Sequence, residues 1–263
     1  MTSLLEDQHL VPSLDAKLGP YQVRFARTDG DLEAVRRLRY AVFNVELGEG
    51  LNGAHETGMD ADAFDRQCQH LMVFERETGG VVGTYRMQIA SSARRGHGWY
   101  TAGEFELGGL PEHLLEEAAE LGRACVARPH RDKTVLFLLW HGLIQYAEHV
   151  GVQTYFGCSS LTGTDPEKGV ALYAQLLEEG HVHTELHAPP RLAMACPLLD
   201  WPVRKGAPKA DTDVPKLFAT YLRHGAKILG PPAIDKEFGT IDFLTWVEIK
   251  ARHKRIFGTL REA

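Results

Sequence analysis

The chain has 263 residues, of which 44% are hydrophobic and 24% charged, a composition typical of a globular protein with a sizeable buried core. Its length fits one large domain or a domain with an extension. The formal net charge of −6 argues against general affinity for nucleic acids, which attract an excess of basic side chains, so we expect no nucleic-acid partner.

The cysteines and the apolar segments indicate a cellular compartment. The four cysteines are scattered without a CxxC pair, which favours a reduced intracellular protein with buried thiols. No apolar run reaches the roughly 18 residues that span a bilayer, and the acidic, polar N-terminus lacks the pattern of a signal peptide. We therefore expect a cytoplasmic protein, attached at most to the surface of the inner membrane.

The first elements predicted along the chain are an arm, a strand and a helix. Residues 1–20 have no clear periodicity and are predicted as an N-terminal arm, after which the alternating apolar residues of YQVRFA predict a strand. The next helix has Asp31 as its predicted cap. Its predicted inward-facing residues are Leu32, Val35, Leu38, Val42 and Val45. The polar, glycine-containing segment 47–68 is long enough to be a functional loop.

The middle of the chain predicts alternating strands and helices. HLMVFER and VVGTYRMQI, joined by a glycine pair, predict a hairpin. The glycine-rich stretch 91–110 is expected to be irregular, and ELGRACVA predicts the next strand. A helix then starts near Lys133, QTYFGC predicts a buried strand, and a further helix runs from its cap Asp165 to its stop at Gly180.

The last part of the chain is predicted to extend the same core. A proline-rich segment from about residue 197 leads to a helix near 216–224 and a strand near 243–249. We therefore treat residues 21–263 as a single domain with a C-terminal extension. Together with the strand–helix–strand unit at 120–158, the pattern predicts an α/β fold with a mixed β-sheet flanked by helices.

The turn at residues 128–133 carries bases instead of glycines. Nucleotide enzymes place a glycine-rich turn between a strand and a helix, because backbone N–H groups there must approach a pyrophosphate. This turn offers Arg128, His130, Arg131 and Lys133, although helix N-termini normally favour acids. The bases either contact a ligand phosphate or form an ordinary solvated helix start.

The order of elements resembles the Gcn5-related N-acyltransferase (GNAT) fold, a three-layer sandwich. The segments RLRYAVFNVELG, DADAFDRQCQHLMV, VGTYRM and ELGRACV are similar to the branch that contains acyl-homoserine-lactone synthases and ornithine lipid N-acyltransferases. SLTGTDPEKGVALYAQLLEEGHV and KILGPPAIDKEFGTIDF resemble the lipid-forming side of that branch, including haemolysin-like sequences. The resemblance covers about residues 21–250, and the order of the motifs makes it specific.

The resemblance implies an N-acyltransferase with acyl-acyl-carrier-protein (acyl-ACP) as donor and no bound cofactor. It would move a long, 3-hydroxylated chain to the α-amine of an amino acid, ornithine first, giving a lyso-ornithine lipid. The donor has a phosphopantetheine but no adenosine diphosphate, so Arg128, Arg131 and Lys133 suit its single phosphodiester and its acidic carrier protein. Because the product is an amphiphile, we expect peripheral membrane association aided by KARHKR at 250–255.

Three alternative functions remain open. An acyl-homoserine-lactone synthase would have a tryptophan soon after the first helix, where this chain has LGEGLNG. An acetyl-coenzyme A acetyltransferase would have a glycine-rich turn before the helix at Lys133. A non-catalytic lipid-binding or haemolysin-like protein would have a continuous apolar or amphipathic membrane segment, and the six residues 250–255 do not supply one.

Glu120 and Arg123 are the predicted catalytic centre. Amide formation from a thioester requires that the amine lose a proton and that the tetrahedral oxyanion meet hydrogen-bond donors. Glu120 lies beside an apolar run, where a carboxylate becomes a stronger base. Arg123 is three residues further on, so in a regular strand the two side chains point to opposite faces, and their cooperation needs a bulge, which the resemblance implies. The alternative is a structural Glu–Arg pair.

Three further side chains are predicted to bind substrate. By resemblance to R-x-x-V-F, Arg39 faces the acyl cleft and orders the acidic loop, and Phe43 is the aromatic residue of that cleft. Arg86 on the hairpin is suited to bind an α-carboxylate bidentately. The simpler interpretations are a helix-flank arginine, a core phenylalanine and an exposed strand arginine.

An acidic cluster and a tyrosine complete the predicted site. Asp60, Asp62 and Asp65 are expected to receive a cationic amino-acid side chain, although such residues often cap helices or face solvent. By resemblance, Tyr173 lies on the helix that closes the acyl site, and it is the predicted acid for the leaving thiolate. A helical tyrosine between leucines is otherwise part of the core.

No metal site is predicted from the sequence. His181, His183 and His187 follow a helix stop without a fourth ligand or an HExxH frame. Cys158 has no histidine beside it in sequence and is interpreted as a buried strand cysteine.

Overall fold

A computed structural model of the protein describes residues 7–197 and 214–260. Within these ranges, nine strands form one mixed β-sheet with helices on both faces, which confirms the predicted α/β class. Residues 198–213, where the predicted extension begins, lie outside the described residues, as do the first six residues of the predicted arm.

The strands of the sheet come from nearly the whole length of the described chain. Its strands are β1 (Asp15–Leu18), β2 (Tyr21–Phe25), β3 (Gln69–Glu75), β4 (Val81–Ile89), β5 (Ala118–Val126), β6 (Thr154–Thr162), β7 (Lys227–Ile228), β8 (Ala233–Asp235) and β9 (Thr240–Glu248). The order is β1-β2-β3-β4-β5-β6-β9-β7, with β8 also paired to β9. Because β9 pairs along the whole of β6, the C-terminal strands belong to the same sheet as the rest.

Helices connect the strands. They are α1 (Asp29–Tyr40), α2 (Ala54–Thr57), α3 (Ala90–Arg95), α4 (Glu112–Glu116), α5 (Lys133–Val150), α6 (Pro166–Glu178), α7 (Lys216–Arg223) and α8 (Ala251–Phe257). A π-helical segment, Ala41–Leu47, continues α1. Short 3-10 turns occupy Gln8–Leu10, Ala63–Arg66, Tyr100–Gly103, Leu107–Gly109 and Arg128–His130. The stretch that the sequence left irregular, 91–110, is thus built largely from short helical turns.

Two helices cover the two faces of the sheet. On one face, the apolar side of α5 packs against β2, β3 and β4 and buries the largest core cluster. On the other face, Leu32 and Val35 of α1 pack against Met72 of β3. Alternate residues of β3 therefore serve opposite cores, and the three layers match the predicted sandwich.

The edge strand β1 lies within the segment that the sequence predicts as an arm. Asp15–Leu18 pair antiparallel with β2, so this part of the arm belongs to the sheet. Only Ala16 and Leu18 are apolar in it, and both pack at the margin of the core beneath α5. Two apolar residues are too few for a period of two to be visible in the sequence.

The first helix begins and ends differently from the prediction. Thr28 is the N-cap: its hydroxyl accepts a hydrogen bond from Asp31 N–H, and the carboxylate of Asp31, the predicted cap, accepts one from Thr28 N–H. After Tyr40 the π-helical segment adds about one residue per turn. Val45, predicted to face the core, is consequently turned outward and is 65% exposed.

The sheet opens between β5 and β6, its only parallel pair among the described strands. These strands pair only over Ala118–Glu120 and Thr154–Phe156. At the next residue of β6, Gly157, φ is 154°, and a Cβ there would lie 2.1 Å from the Leu121 carbonyl oxygen. The close approach requires glycine at this point, immediately before the strands diverge.

A bulge in β5 changes which way its side chains point. Between the pairs Thr84–Cys125 and Arg86–Gly122, one residue of β4 opposes two of β5, and Arg123 has a φ of 46°. Such a bulge interrupts the alternation of a strand. The irregularity that the family resemblance implies between positions 120 and 123 is therefore present.

Candidate active site

A cavity of about 610 Å³ occupies the opening between β5 and β6. Its walls include residues 121–126 of β5 and 155–160 of β6, with side chains from β4, β9, α7 and the segment 100–104. Because strand residues alternate between faces, the cavity has an apolar half next to α5 and a polar half on the opposite face of the sheet. A concave site of this kind is the usual place for a small-molecule reaction.

The apolar half is suited to an alkyl chain. It is lined by Tyr85, Met87, Leu139, Tyr155, Leu217, Tyr221 and Val247, which belong to the core beneath α5 or pack against it. The hydroxyls of Tyr85 and Tyr221 lie 2.5 Å apart. Burial raises the pKa of both hydroxyls, so the pair stays neutral in an otherwise apolar wall.

Glu120 lies in the polar half and is only 4% exposed. Its Oε1 accepts a hydrogen bond from Thr101 N–H at 2.7 Å, and its Oε2 accepts from Tyr100 N–H at 3.0 Å and from the Gln88 side-chain amide. Three of the roughly four acceptor positions of a carboxylate are thus used. The carboxylate is held in one orientation at the strand split, with capacity for one more proton donor.

Arg123 is connected to Glu120 through Tyr100. The Arg123 guanidinium lies 4.9 Å from the centre of the Tyr100 ring and 4.5 Å from that of Phe238, and the backbone N–H of Tyr100 donates to Glu120. Arg123 also donates to Asp60 and Asp62. The bulge therefore places the two predicted catalytic residues at one end of the cavity, although the structure shows no direct ion pair between them.

Asp60, Asp62 and Asp65 form a set that we call the arginine-bound cluster. Arg39 donates to Asp60 at 2.7 Å and to Asp65 at 2.8 Å, and Arg86 donates to Asp62 at 2.6 Å. Burial raises the pKa of Asp65, but the guanidinium groups around it outweigh burial, and its net pKa lies below the usual value, as does that of Asp62. Asp62 and Asp65 are therefore held ionised, and each of the three carboxylates has a guanidinium partner within the chain.

The expectation for these three aspartates needs correction. Asp60 and Asp65 are fully buried, and none of the three lines the cavity. Arginines 39, 86 and 123 already occupy the positions in which a substrate cation was expected. The cluster instead fixes the loop after α2 against β4 and β5.

A second acidic group, Glu104, Asp235 and Asp242, lines the polar half of the cavity, and we call it the cation-free cluster. Within the described part of the chain, no lysine or arginine forms an ion pair with any of them. Burial and the neighbouring carboxylates raise the pKa of Glu104 well above its usual value, and burial, with the nearby Asp235, raises that of Asp242. A hydrogen bond joins Glu104 to Asp242, which requires that one of them hold a proton.

The sequence contained a weak signal for this cluster. Asp242 interrupts the apolar strand TIDFLTWV, and an acid at such a position is buried unless the strand is at an edge. Glu104 lies in the stretch 91–110 and Asp235 in a short strand, and neither has a periodic neighbourhood. Only the fold brings the three together.

Comparison with known proteins identifies the family. A model of the GNAT acetyltransferase domain matches residues 38–141. The L-ornithine Nα-acyltransferase of Rhizobium meliloti is 32% identical over 256 residues, covering 92% of this chain and 86% of that protein. The enzyme of the same name from Agrobacterium fabrum is 32% identical over 250 residues, covering 90% and 84%. The chain belongs to this family of GNAT acyltransferases.

Solved structures agree with the fold. The N-acyl amino acid synthase FeeM from uncultured soil microbes matches 90% of this chain and 94% of its own, with a TM-score of 0.50 and 11% identity. The predicted family and the prediction of an acyltransferase are confirmed by the sequence relatives, and the predicted GNAT-like sheet is confirmed by the structure. A non-catalytic lipid-binding protein is no longer an alternative.

Among the other predicted substrate-binding residues, Phe43 and Arg86 line the cavity and Arg39 does not. Phe43 packs edge-on against Phe238, with ring centres 5.4 Å apart. Arg39 is fully buried and orders the acidic loop, as the resemblance implies, but it does not face the cleft. Arg86 is 3% exposed and already paired with Asp62, so a substrate carboxylate would have to share its guanidinium.

Tyr173 does not line the cavity. It is on α6, which runs from Pro166 behind the cap Asp165 as predicted, and it packs in the core cluster with Phe218 and Phe243. It is not among the residues that line the cavity, whereas Phe218 of the same core cluster is, so its role as the acid for the thiolate stays a prediction. The leucine-flanked position is that of a core side chain.

The bases of the turn at 128–133 differ in whether they have an acidic partner. Arg131 is clamped by Glu46, with two N–O distances of 2.7 and 2.9 Å, and it lines the cavity. Arg128 and Lys133 are exposed, and neither forms an ion pair with a described residue. Asp132 caps α5 by accepting from the N–H groups of residues 134 and 135.

The histidines that follow α6 do not assemble into a metal site with other described residues. One group of three side chains in the described chain has ligand atoms within 4.8 Å of one another: Glu104, Cys158 and Asp242. Cys158 lines the cavity, and burial raises the pKa of its thiol well above the usual value. No helix of the described chain is long and apolar enough to cross a membrane.

Proposed function

We propose that this acyltransferase moves a long acyl chain from acyl-ACP to the α-amine of L-ornithine. The observation that carries the proposal is the position of Glu120 at the strand split, in the polar half of a cavity whose other half is apolar. An acyl thioester and an amino acid entering from the two halves meet at this carboxylate. The names of the relatives support the acceptor.

The reaction needs one base and a place for the developing oxyanion. The neutral α-amine attacks the thioester carbon, an N–C bond forms, and the C–S bond breaks. Glu120 accepts the proton that the nitrogen loses and returns it to the leaving thiolate. Beyond Glu120 the edge of β5 has no partner in β6, so its outward backbone N–H groups are available to the oxyanion.

The start of α5 supports a carrier protein as donor. In this chain the N-terminal donors of α5 already bind the carboxylate of Asp132, which would also repel a pyrophosphate. The exposed Arg128 and Lys133 beside it remain available for a single phosphodiester and for acidic groups of the carrier. This arrangement favours a phosphopantetheine donor over a coenzyme that carries adenosine diphosphate.

The hydroxyl pair in the apolar half supports a 3-hydroxylated chain. The neutral hydroxyls of Tyr85 and Tyr221 bond to each other, and each oxygen retains acceptor capacity in a wall that is otherwise largely apolar. A hydroxyl on the acyl chain would donate to this pair. Tyr221→Phe should therefore reduce the preference for 3-hydroxyacyl over unsubstituted acyl donors.

The basic residues in and just before helix α8 are the proposed membrane contact. Arg255 and Lys254 are exposed, but Lys254 lies 3.9 Å from Glu148, Lys250 lies 3.3 Å from Glu248, and Arg252 donates to the His224 carbonyl. We propose a cytoplasmic enzyme that contacts the inner membrane through this helix. Sedimentation with anionic vesicles, before and after neutralising all four bases, tests it.

One experiment tests the proposed function. Purified protein is incubated with 3-hydroxyacyl-ACP and an equimolar pool of amino acids, and products are identified by mass spectrometry. The expected product is Nα-(3-hydroxyacyl)ornithine. An acylated amino acid other than ornithine, or equal turnover with acyl-coenzyme A, would contradict the acceptor or the donor, respectively.

A further inference from the structure

We infer that the cation-free cluster, Glu104, Asp235 and Asp242, binds the side-chain ammonium group of a diamino acid acceptor. The inference rests on the proposed function, because it assigns the far end of the amino acid whose α-amine lies at Glu120. It also replaces the arginine-bound cluster as the recognition site for the substrate cation.

The cation-free cluster lacks a positive charge that would neutralise its carboxylates. The three side chains are 5%, 8% and 3% exposed, respectively, so water does not solvate them freely, and an ionised buried carboxylate needs a cation or several donors. Asp242 has the hydroxyls of Ser160 and Thr240, and Asp235 has two backbone N–H groups. Glu104 has only the Cys158 thiol and the shared proton of Asp242.

A polar atom without a hydrogen-bond partner lies on the same side of the cavity as the cluster. Thr101 is 1% exposed and lines the cavity, and its Oγ1 has no hydrogen-bond partner among the described residues. Buried hydroxyls almost always have a partner, so the vacancy points to a ligand. An ammonium group has three N–H donors, enough for Glu104, Asp242 and this hydroxyl.

A short turn connects the cation-free cluster to Glu120, the proposed base. The 3-10 turn Tyr100–Gly103 joins the two places: Thr101 N–H donates to Glu120, and the carbonyl of Thr101 accepts from Glu104 N–H at 3.0 Å. The two carboxylates are therefore fixed relative to each other by one short turn. A nitrogen held as ammonium by the cluster has no lone pair with which to attack, so the other amine of the acceptor is the nucleophile.

A metal ion is the competing occupant, because Glu104, Cys158 and Asp242 lie close together. The neighbouring hydroxyl favours the ammonium group. Thr101 offers a neutral hydroxyl, which suits an N–H donor better than it suits a divalent cation.

The test compares ornithine with norvaline, which has the same carbon chain but no δ-amine. The wild-type kcat/KM should favour ornithine by at least about 10²-fold. Glu104→Gln and Asp242→Asn should each reduce this ratio about tenfold or more, chiefly through KM for ornithine, because kcat/KM for norvaline should fall much less than kcat/KM for ornithine. Glu106→Gln, an exposed acid of the same segment, is the matched control and should leave the ratio intact.

A second readout separates a binding role from a structural one. Because Glu104 is buried without a cation, Glu104→Gln should raise the thermal midpoint of the substrate-free protein, and ornithine should stabilise wild type more than the variant. Equal loss for ornithine and norvaline, or an unchanged ratio, overturns the inference while leaving the proposed function in place. Failure of wild type to acylate ornithine overturns the proposed function. A stoichiometric metal whose removal abolishes and whose return restores activity assigns the cluster to a metal instead.

Discussion

Two clusters of three largely buried acids lie in the described part of the molecule, and they differ in what surrounds them. In the arginine-bound cluster every carboxylate contacts a guanidinium group, and the pKa values of Asp62 and Asp65 are lowered. In the cation-free cluster no described basic side chain forms an ion pair, and the pKa values of Glu104 and Asp242 are raised. The first cluster is electrostatically complete and positions a loop, whereas the second can take positive charge from a ligand.

Glu120 lies between the two clusters, and its replacement should have the largest effect. Tyr100 links it to Arg123 and the arginine-bound cluster, and Thr101 links it to Glu104. Loss of a general base typically lowers the rate about 10²–10⁴-fold, so Glu120→Gln should reduce kcat by that factor. The measurement is kcat against pH for both proteins, with thermal melts as the control for folding. A folded variant with near wild-type turnover would show that Glu120 is structural.

Breaking the arginine-bound cluster should reduce stability more than specificity. In Asp65→Asn the buried Arg39 loses a charged partner, and a broken buried pair typically costs about 3–5 kcal/mol. Urea denaturation should show this loss in the free energy of unfolding, whereas the residual folded enzyme should keep its ornithine-to-norvaline ratio. Glu104→Gln is the counterpart and should show the reverse pattern. If both variants lost stability equally, the distinction between the clusters would not hold.

Much of the fold was predictable because its signals are local. The hairpin β3–β4, the helix cap at Asp165 and the parallel unit β5–α5–β6 each follow from a short pattern of apolar, glycine or capping residues. The π-helical turn after Tyr40 was not predictable in this way. A π-helical turn has about one more residue than an α-helical turn, but nothing in the sequence pattern marks the change. A 3.6-residue period therefore still predicts that Val45 faces inward.

The candidate site was predictable only where residues adjoin in sequence. Glu120 and Arg123 lie on one strand, and family resemblance supplied the bulge that joins them. The sequence offered Asp60, Asp62 and Asp65 as a cation site because they are close in the chain, but their arginine partners come from α1, β4 and β5. Glu104 and Asp242 are 138 positions apart, and no local pattern joins them.

The pH dependence of stability should separate the clusters by sign. The lowered pKa of Asp65 means that its contribution is present above its usual value of 3.8 and is lost as pH falls through the lowered value. Glu104 and Asp242, which face each other, Asp235 and Cys158, have raised pKa values. Their contribution is present below their usual values and is lost as pH rises through the raised ones.

Unfolding in urea across a pH series measures this difference. The free energy of unfolding of wild type should fall as pH drops below 3.8, and Asp65→Asn should make this fall smaller. It should also fall as pH rises above 4.5, the usual pKa of a glutamate, and Glu104→Gln should make that fall smaller. Glu106→Gln serves again as the control, since its side chain is 55% exposed. Parallel curves for all three variants would contradict the assigned signs.

The smallest expected effect lies outside both clusters, at the exposed bases before α5. Arg128 has no described ion-pair partner, so Arg128→Glu removes an attractive charge without breaking an internal contact. A rim charge changes association more than chemistry, so KM for acyl-ACP should rise several-fold while kcat stays nearly constant. The effect should weaken as salt increases, because exposed charges are screened within about 10 Å at 0.1 M. The matched control is Arg76→Glu, which changes an exposed arginine on the β3–β4 turn.

A minimal phosphopantetheine thioester, used as donor in place of acyl-ACP, shows what Arg128 contacts. If Arg128 contacts the carrier protein, Arg128→Glu and wild type should have the same KM for this donor. If Arg128 binds the phosphodiester, the variant should have the higher KM. An unchanged KM for both donors would remove the basic turn from the donor site and leave its bases as a solvated helix start.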